Sequence, residues 1–523
     1  MGLFGAAKEN MRIGVDVGGT NTDAVLMDGH RVLAWAKSPT TADVSTGIQN
    51  AITSILSDSQ AQAKDIRLVM IGTTHFTNAF VERKHLLEVG VLRLALPAGR
   101  GIPPLADWPD EMKRAIGEHV FEVSGSYQYD GRVNSALDEA AVAAAADEIA
   151  RRGLKSVAIT GVFSHVKPDM ELRAGEIVAE RAPGVSISLS HRIGRLGMLE
   201  RENATVMNAC LADLSTRVVR SFGEALKRLK INAPFFVSQN DGTLMSGATV
   251  QKYPVLTFAS GPTNSMRGAA YLSGLKNAIV ADIGGTTTDV GVLVNGFPRE
   301  SSVTVDIGGV RTNFRMPDIL SVGLGGGSIV RMGEAVTVGP DSVGFRLLQE
   351  ARVFGGEVLT ASDIAAAAGL AEMGDRSRVS DLAPDLMSKA LAAIQFKVAE
   401  AVDRMRTSAE ALPLILVGGG AVLVSGPLPV AAKIVRPDYA SVANAIGAAI
   451  AQVSGEVDRV FAYAEIGRDA ALGAASTEAI EQAVSAGAAR PTVQVIDVEE
   501  VPLAYVPGGA VRLRVRAVGD LVH

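Results

Sequence analysis

Asp16, Gly18, Gly19, Thr20 and Asp23 stand in the stretch IGVDVGGTNTDA, residues 13–24. Asp282, Gly284, Gly285, Thr286 and Asp289 stand at the same spacing in IVADIGGTTTDV, residues 279–290. In both, an apolar strand ends on an aspartate, turns on two glycines and re-enters a strand through hydroxyl residues. That pattern suits phosphate handling. Glycine lets the backbone approach a ligand without a Cβ in the way. Amide N–H groups and threonine hydroxyls in such a turn form a nest for phosphate oxygens, and a strand-end carboxylate can hold Mg²⁺ directly or through water. Two copies far apart in one chain point to two jaws closing on one polyphosphate. A third glycine run, Val417-Gly418-Gly419-Gly420, ends the apolar stretch LPLILVGGG and offers a flat backbone surface for an adenosine. Asp306-Ile307-Gly308-Gly309 imitates the opening, but Val310 and Arg311 replace the hydroxyls, so it reads as a strand-end turn.

The elements that must position these turns alternate between strand and helix. RIGVDVGG is a strand, DAVLMDGHRVLAWAKSPT a hairpin turning at Asp28-Gly29, and residues 46–58 an amphipathic helix. RLVMIGTTHFTNAFVERK is a strand, a polar turn and a helix start. Residues 97–136, with four prolines, read as less regular. DEAAVAAAADEIARRG is a helix stopped by Gly153, and SVAITGVFS and SISLSHRIG are strands. Met207, Leu211, Leu214, Val218, Phe222, Leu226 and Leu229 recur at helical spacing and predict one long helix over 199–230, a core stripe joining two similar halves. The division expected is 11–198, the joint 199–230, a second half 231–470, and a β-rich tail at 490–523 turning at Pro507-Gly508-Gly509.

Bulk composition agrees. The 523 residues exceed what one core accommodates. Hydrophobic residues are 47% and charged residues 20%, so large cores form and disorder is excluded. A net charge of −6 without a basic run argues against nucleic acid or an anionic membrane as partner. Cys210, the only cysteine, rules out an internal disulfide or a cysteine metal cage and reads as buried packing. Residues 1–10 lack the features of a secretory leader and no apolar run is long enough to span a bilayer, so the cytoplasm is the expected location.

The phosphate-1, phosphate-2 and adenosine motifs together resemble the actin/Hsp70/sugar-kinase superfamily, which implies an α/β fold of two duplicated ribonuclease-H-like (actin-like ATPase) domains around an ATP cleft. Gly72-Thr73-Thr74 and the helix near Ala443–Ala451 would be the crossing elements between domains. A narrower resemblance rests on GVDVGGTNTDAVL, GTTHFTNAFVERK, SISLSHRIGRLGMLERENATVMNACL, VSQNDGTLMS, ASGPTNSMRGAA, ADIGGTTTDV and PDILSVGLGGGSI. These run in order from residue 13 to about 450 and resemble the hydantoinase/oxoprolinase family, A-type (N-methylhydantoinase A-like) subunit, in a short form.

The resemblance implies ATP-dependent hydrolysis of a cyclic amide through phosphorylation of the amide oxygen, with ATP and Mg²⁺ as cofactors. Carried onto this sequence, Gly18, Gly19, Thr20, Asn21 and Thr22 would hold one side of the phosphates, and Gly284, Gly285, Thr286 and Thr287 the other. Asp16 and Asp282 would order Mg²⁺ or the attacking water, and Gly418, Gly419 and Gly420 would face the adenosine. Thr73, Thr74 and Asn78 would contribute near the reacting phosphate or substrate. Gly325-Gly326-Gly327-Ser328 either borders the cleft or is a hairpin loop. Arg201-Glu202 is either an exposed pair or a cap on the cleft. His75 is a candidate acid–base group with a plain hydrogen-bonding role as the alternative, while His165 and His191 read as structural. The family implies a B-type hydantoinase subunit as partner and an oligomer. QNDG in place of the commoner QSNG, and the altered run after VGPDSVG, depart from the family pattern where ring specificity or docking would reside. A small-molecule kinase and an ATP-gated assembly module remain open on the same fold.

Overall fold

The computed structural model describes residues 11–19, 21–39, 44–301, 304–504 and 508–522. Residues 1–10, Thr20 and Pro507, each given a reading from the sequence, lie outside the described residues.

The duplication is visible in strand pairing. Met11–Val17 pairs antiparallel with Asn21–Asp28 and parallel with Ile66–Thr73. Ala278–Ile283 repeats this, antiparallel with Thr288–Val294 and parallel with Leu414–Val417. The register repeats as well: Asp16 lies opposite Asp23, and Asp282 opposite Asp289. The two glycine turns close alike. Gly18 N–H donates to the Asn21 carbonyl at 3.0 Å, and Gly284 N–H to the Thr287 carbonyl at 2.9 Å. The fold is mixed α/β, with two halves that repeat this strand pairing and a β-rich C-terminal region.

Each half has its own sheet and core. The first sheet has nine strands and the second six. Between them lie two helices. Ala443–Ala449 buries Ala445, Ile446 and Ala449 with Val25 and Met27 of the first sheet. Ser260–Ser273 buries Met266, Ala269 and Ala270 with Val280, Leu293 and Ile415 of the second. Their backbones touch. A Cβ on Gly268 would sit 1.9 Å from the Ala443 carbonyl oxygen, and one on Gly447 1.8 Å from the Asn264 oxygen. Only glycine allows this approach. A separate four-stranded parallel sheet, Ser186–Leu189, Ser156–Gly161, Val89–Leu96 and His119–Ser124, is inserted into the first half.

Several expectations change. The long helix is two, Met198–Cys210 and Ala212–Arg228, broken at Leu211. The stripe is core through Leu226, as read, but Arg201–Cys210 is buried on every side whereas Ala212–Arg228 keeps a polar face. A straight continuation could not serve both environments. Sheet membership does not follow chain order at two places. Phe235–Ser238 pairs with Ile66–Thr73, and Thr243–Ser246 beside it carries Gln452–Ala462 and the tail hairpin Gln494–Pro502/Ala510–Gly519. Residues assigned by order to the second half and the tail therefore extend the first sheet. Within 97–136, His119–Ser124 is a strand, half-exposed at a sheet edge and so weak in apolar pattern. Arg201 and Glu202 are neither exposed nor at the cleft. Both are 1% exposed; Glu202 grips Arg93 at 2.6 Å, and Arg201 donates to the Gly161 carbonyl at 2.7 Å.

A buried charge knot fastens the tail to the second half. Glu300 meets Arg514 at 2.9 Å, Arg195 at 3.1 Å and Arg516 at 3.2 Å, while Arg315 reaches Asp241 at 2.6 Å. Burial alone would raise the Glu300 carboxyl, but Arg315, Arg514, Arg195 and Arg516 outweigh it and hold it at about 2. A depressed carboxylate stabilises above its unfolded value of 4.5 and loses that contribution as pH falls through about 2. Glu300→Gln is expected to cost about 3–5 kcal/mol at pH 7, because it strands buried guanidinium groups. The gap to wild type, followed by urea titration, narrows as pH falls below 4.5.

Candidate functional site

The three glycine runs meet at one cleft of about 340 Å³. Gly18, Gly19 and Asn21 line one wall, Asp282, Gly284 and Gly285 another, and Gly418, Gly419 and Gly420 a third. Strand geometry brings them together. Each run sits at the carboxyl end of a strand in a parallel pair, where chain ends in this topology point to the same side of the sheet. Gly418, at φ +85°, packs directly on the second motif: a Cβ there would lie 2.3 Å from Asp282 Oδ1. Gly420 N–H donates to the Ile283 carbonyl at 2.7 Å. The Gly325–Ser328 loop is pinned to the same turn, with Gly326 N–H on the Gly284 carbonyl at 3.0 Å and Gly327 N–H on the Gly285 carbonyl at 2.7 Å. Of the two readings offered for it, the border of the cleft is the one observed. Leu347, Ala365, Met373, Val422 and Leu423 make one flank of the cleft apolar, next to the third glycine run.

Asp16 lies beneath this cleft, 4% exposed. Asn264 Nδ2 donates to its Oδ1 at 3.2 Å, and Asn444 Nδ2 to its Oδ2 at 3.1 Å. Those asparagines come from the two helices between the sheets, so both halves grip one carboxylate. Asn444 Nδ2 also donates to Asp23 at 2.8 Å, and Lys37 Nζ meets Asp23 at 2.6 Å. Burial pushes the Asp16 carboxyl up to about 6; Asn264 and Asn444 oppose the rise, and Asp23 and Asp282 add to it. Burial also raises Asp282, against a Ser265 hydrogen bond and the nearby Lys37 charge. Gly72 beside Asp16 has no room for a side chain, since a Cβ would fall 2.2 Å from both Asp16 Oδ1 and Asn264 Nδ2.

The remaining sequence-derived candidates stand off the cleft wall. Thr22 is buried in its strand, and Thr286 and Thr287 are exposed on the second turn. Thr73 is 1% exposed and locked to Ser260, its N–H donating to Ser260 Oγ at 3.2 Å. Thr74 adjoins Asp16 through Gly261, where a Cβ would be 3.3 Å from Thr74 Cγ2 and 4.0 Å from Asp16 Oδ2. Asn78 is exposed and reaches Thr74 Oγ1 at 3.4 Å. His75 N–H donates to Thr73 Oγ1, and burial lowers its ring's basicity. His191 pairs with buried Glu171 at 2.6 Å, away from the cleft. Cys210 is fully buried, and burial pushes its thiol up. Among the described residues no group of three His, Cys, Asp or Glu side chains could cage a metal.

Sequence reasoning missed Asp23, Lys37, Asn264, Ser265 and Asn444 as site residues. Hairpin register is the signal that would have found Lys37, since it lies directly across from Asp23.

Comparison with known proteins places these elements. Residues 12–182 match the hydantoinase/oxoprolinase N-terminal region, and residues 201–375 match hydantoinase/oxoprolinase. The caprolactamase subunit alpha of Pseudomonas jessenii is 29% identical over 366 residues, covering 65% of this chain and 51% of that one. The acetophenone carboxylase gamma subunit of Aromatoleum aromaticum is 29% identical over 371 residues, covering 64% and 49%. The chain thus spans about half the length of these curated relatives. The crystal structure of ATP-dependent caprolactamase from Pseudomonas jessenii superposes with a TM-score of 0.78 at 21% identity, covering 98% of this chain and 88% of that one. The first family region ends and the second begins on either side of residues 183–200, and between them they carry both strand-end glycine turns, at residues 16–19 and 282–285; the chain belongs to the hydantoinase/oxoprolinase family.

Proposed function

We propose that this chain binds ATP in the cleft and transfers its γ-phosphoryl group to the carbonyl oxygen of a cyclic amide, of hydantoin, oxoproline or lactam type, as one subunit of a larger enzyme. The carrying observation is the convergence of three strand-end glycine runs on one cleft above a buried, doubly gripped Asp16. The glycine turns present backbone to the phosphates, and the apolar flank beside Gly418–Gly420 suits a purine. Lys37, held by Asp23 at the cleft wall, supplies a positive charge within reach of a polyphosphate.

Mg²⁺ fits the donor set, because Asp16 and Asp282 offer hard carboxylate oxygens while phosphate and water would complete six ligands. When bound, the ion would neutralise charge on the transferring phosphoryl group. The chain's own part is positioning. Asn264 and Asn444 fix the Asp16 carboxylate, and the helices that carry them set the angle between the two walls.

In the first step the amide oxygen attacks the γ-phosphorus, an O–P bond forms, the bond to the β-phosphate oxygen breaks, and ADP leaves. Water adds to the activated carbon, the C–N bond breaks, and the ring nitrogen departs as an amine. A second water then releases phosphate from the acyl phosphate. The lactam needs this activation because amide resonance makes its carbonyl a poor electrophile. The subunit names of these relatives support a partner chain, for which a B-type hydantoinase subunit is our candidate. No helix among the described residues is long and apolar enough to cross a membrane, and we place the protein in the cytoplasm.

The test is Mg²⁺-dependent ADP release by purified protein against hydantoins, 5-oxoproline, simple lactams and thiohydantoins. Stimulation by one ring, with a ring-opened product, supports the reading. A stable phosphorylated product would make the protein a kinase. ATP bound but never turned over, even with a B-type subunit added, would make it a gated module. Gly419→Glu gives a sharp control. Gly419 is exposed in the cleft wall with nothing within 4 Å of where a Cβ would sit, so the fold tolerates a side chain. A carboxylate there would repel the nucleotide, and ATP affinity is expected to fall about 100-fold, measured by calorimetry, with the circular dichroism spectrum unchanged.

A further inference from the structure

The cleft has a counterpart at the other end of the elements that build it. Met11–Val17 carries Asp16 at one end and Arg12 near the other, roughly 13 Å away at about 3.3 Å per residue. Ser260–Ser273 presents Asn264 and Ser265 to the cleft and Tyr271 to the opposite side; Ala443–Ala449 runs from Asn444 to a C-cap at Ile450. At that opposite side lies a second cavity of about 520 Å³, larger than the cleft, lined by Arg12, His30, Arg267, Tyr271, Lys276 and Asp520, among others.

Its charge is unbalanced. Arg12, Arg267 and Lys276 face a single carboxylate, Asp520, whose Oδ1 already accepts from Gln452 at 2.8 Å. Among the described residues, none of the three cations forms an ion pair. Arg12 Nη2 donates to the Gly29 carbonyl at 2.9 Å. Arg267 Nη1 donates to the Gly296 carbonyl at 2.7 Å, and its guanidinium lies over the Phe297 ring. The Nε of each is buried with no hydrogen-bond partner. This contrasts with the knot around Glu300, where every arginine meets a carboxylate. Burying a guanidinium that no carboxylate contacts is costly: burial lowers the basicity of Arg12 against the pull of Asp520, and burial and the Arg516 charge take Arg267 down to about 10 against Asp241. One wall is aromatic and fixed: the Tyr271 hydroxyl donates to the His30 carbonyl at 2.9 Å, and the two rings stack at 6.0 Å. The lining draws on both halves, with Arg12 and His30 from the first sheet and Arg267, Tyr271 and Lys276 from the second half's helix and the loop after it.

We propose that this rear cavity is a binding site for a small polyanion carrying phosphoryl or carboxylate groups, held by Arg12, Arg267 and Lys276 across the junction between the two halves. The missing counter-charge is the ligand's. Such a ligand ties the halves together behind the cleft, which makes it suited to an effector rather than a substrate. The inference stands whether or not the cleft binds ATP.

Calorimetry on the full chain with two probes, pyrophosphate and citrate, tests it. Both arms are run on the Gly419→Glu protein, so that the cleft does not compete, and on the same protein carrying Arg12→Gln and Lys276→Gln. The expected result is saturable binding of at least one probe, weakened about tenfold or more by the double substitution and reduced by added salt. The preferred probe tells phosphoryl from carboxylate ligands. Lys276→Glu alone, at an exposed position that does not bear on folding, is expected to weaken binding as well. Equal binding with and without the substitutions, or no binding of either probe, overturns the proposal. The ADP binding lost between the wild-type chain and the Gly419→Glu protein, measured separately, reports on the cleft.

Discussion

Replacing Asp16 by Asn is expected to lower Mg²⁺-dependent nucleotide turnover by about 10³-fold or more without lowering the melting temperature. The two halves of that expectation have different causes. Asp16 is 4% exposed, and burial has pushed its carboxyl up to about 6, so the folded protein bears a cost for keeping it ionised at neutral pH. An asparagine has the same shape and no charge. Its amide must meet two donors, Asn264 Nδ2 and Asn444 Nδ2. Asn444 cannot turn, because its Nδ2 also serves Asp23 and its Oδ1 accepts the Ala445 N–H. Asn264 can, because its Oδ1 has no partner. The fold therefore absorbs the change, and what is lost is a negative charge beneath the phosphates. Calorimetric melting and ADP release on the same preparation check this. Undiminished turnover would show that the carboxylate does not act at the reacting phosphate. A large fall in melting temperature would assign it a structural role instead.

Gly447→Ala should destabilise the protein by about 3 kcal/mol or more, although alanine is the better helix former by up to about 1 kcal/mol. The added Cβ would lie 1.8 Å from the Asn264 carbonyl oxygen and 2.9 Å from the Gly268 nitrogen. Both are backbone atoms of the facing helix, so relief requires the helices to part. Parting them moves Asn264 away from Asn444, and the grip on Asp16 loosens with it. Loss of activity should therefore accompany loss of stability. Gly473→Ala supplies the control. Gly473 lies in the helix Arg468–Ser485 with nothing within 4 Å of its Cβ position, and the same substitution there should stabilise by about 0.5–1 kcal/mol. Urea titrations of both variants decide whether the close approach or intrinsic helix preference governs Gly447. Equal effects would remove the argument for an obligatory helix contact.

The readable part of this protein was the part encoded over short distances. Strand, aspartate, two glycines and strand occupy a dozen consecutive residues, so the turns and the strands on either side of them follow from local pattern. The DIGG run at 306–309 was separable from them for the same reason, and Gly308 and Gly309 form a tight turn at positive φ. Asn264 and Asn444 were unreadable as site residues because, although ASGPTNSMRGAA and the helix near 443–451 stood out, local pattern does not say which of their side chains meets a distant carboxylate. They reach Asp16 only once two glycine-bearing helices have packed face to face. Lys37 is hidden in an ordinary hairpin until its pairing with Asp23 is drawn. The break at Leu211 escaped because a stripe of apolar residues continues through it, and periodicity does not report which helix has solvent on its far side. The tail read as a hairpin, and a hairpin it is, but strand patterns do not name the edge they join.

That last edge bears on how the protein is made. The nine-stranded sheet takes strands from residues 11–73, two more from 235–246, and the remaining three from 452–519. At a synthesis rate of about 5–20 residues per second, the ribosome delivers the closing strands roughly 20 to 80 s after the opening ones. From its own synthesis until Gln452 emerges, roughly 10 to 40 s at that rate, Thr243–Ser246 has no neighbour on its outer side, while the second half, with a separate sheet, can already collapse. An unpaired edge of this kind recruits other chains. Recombinant fragments ending near Ala451 should therefore accumulate as insoluble material, and the full chain should depend on chaperones that shield a nascent sheet until its final third arrives.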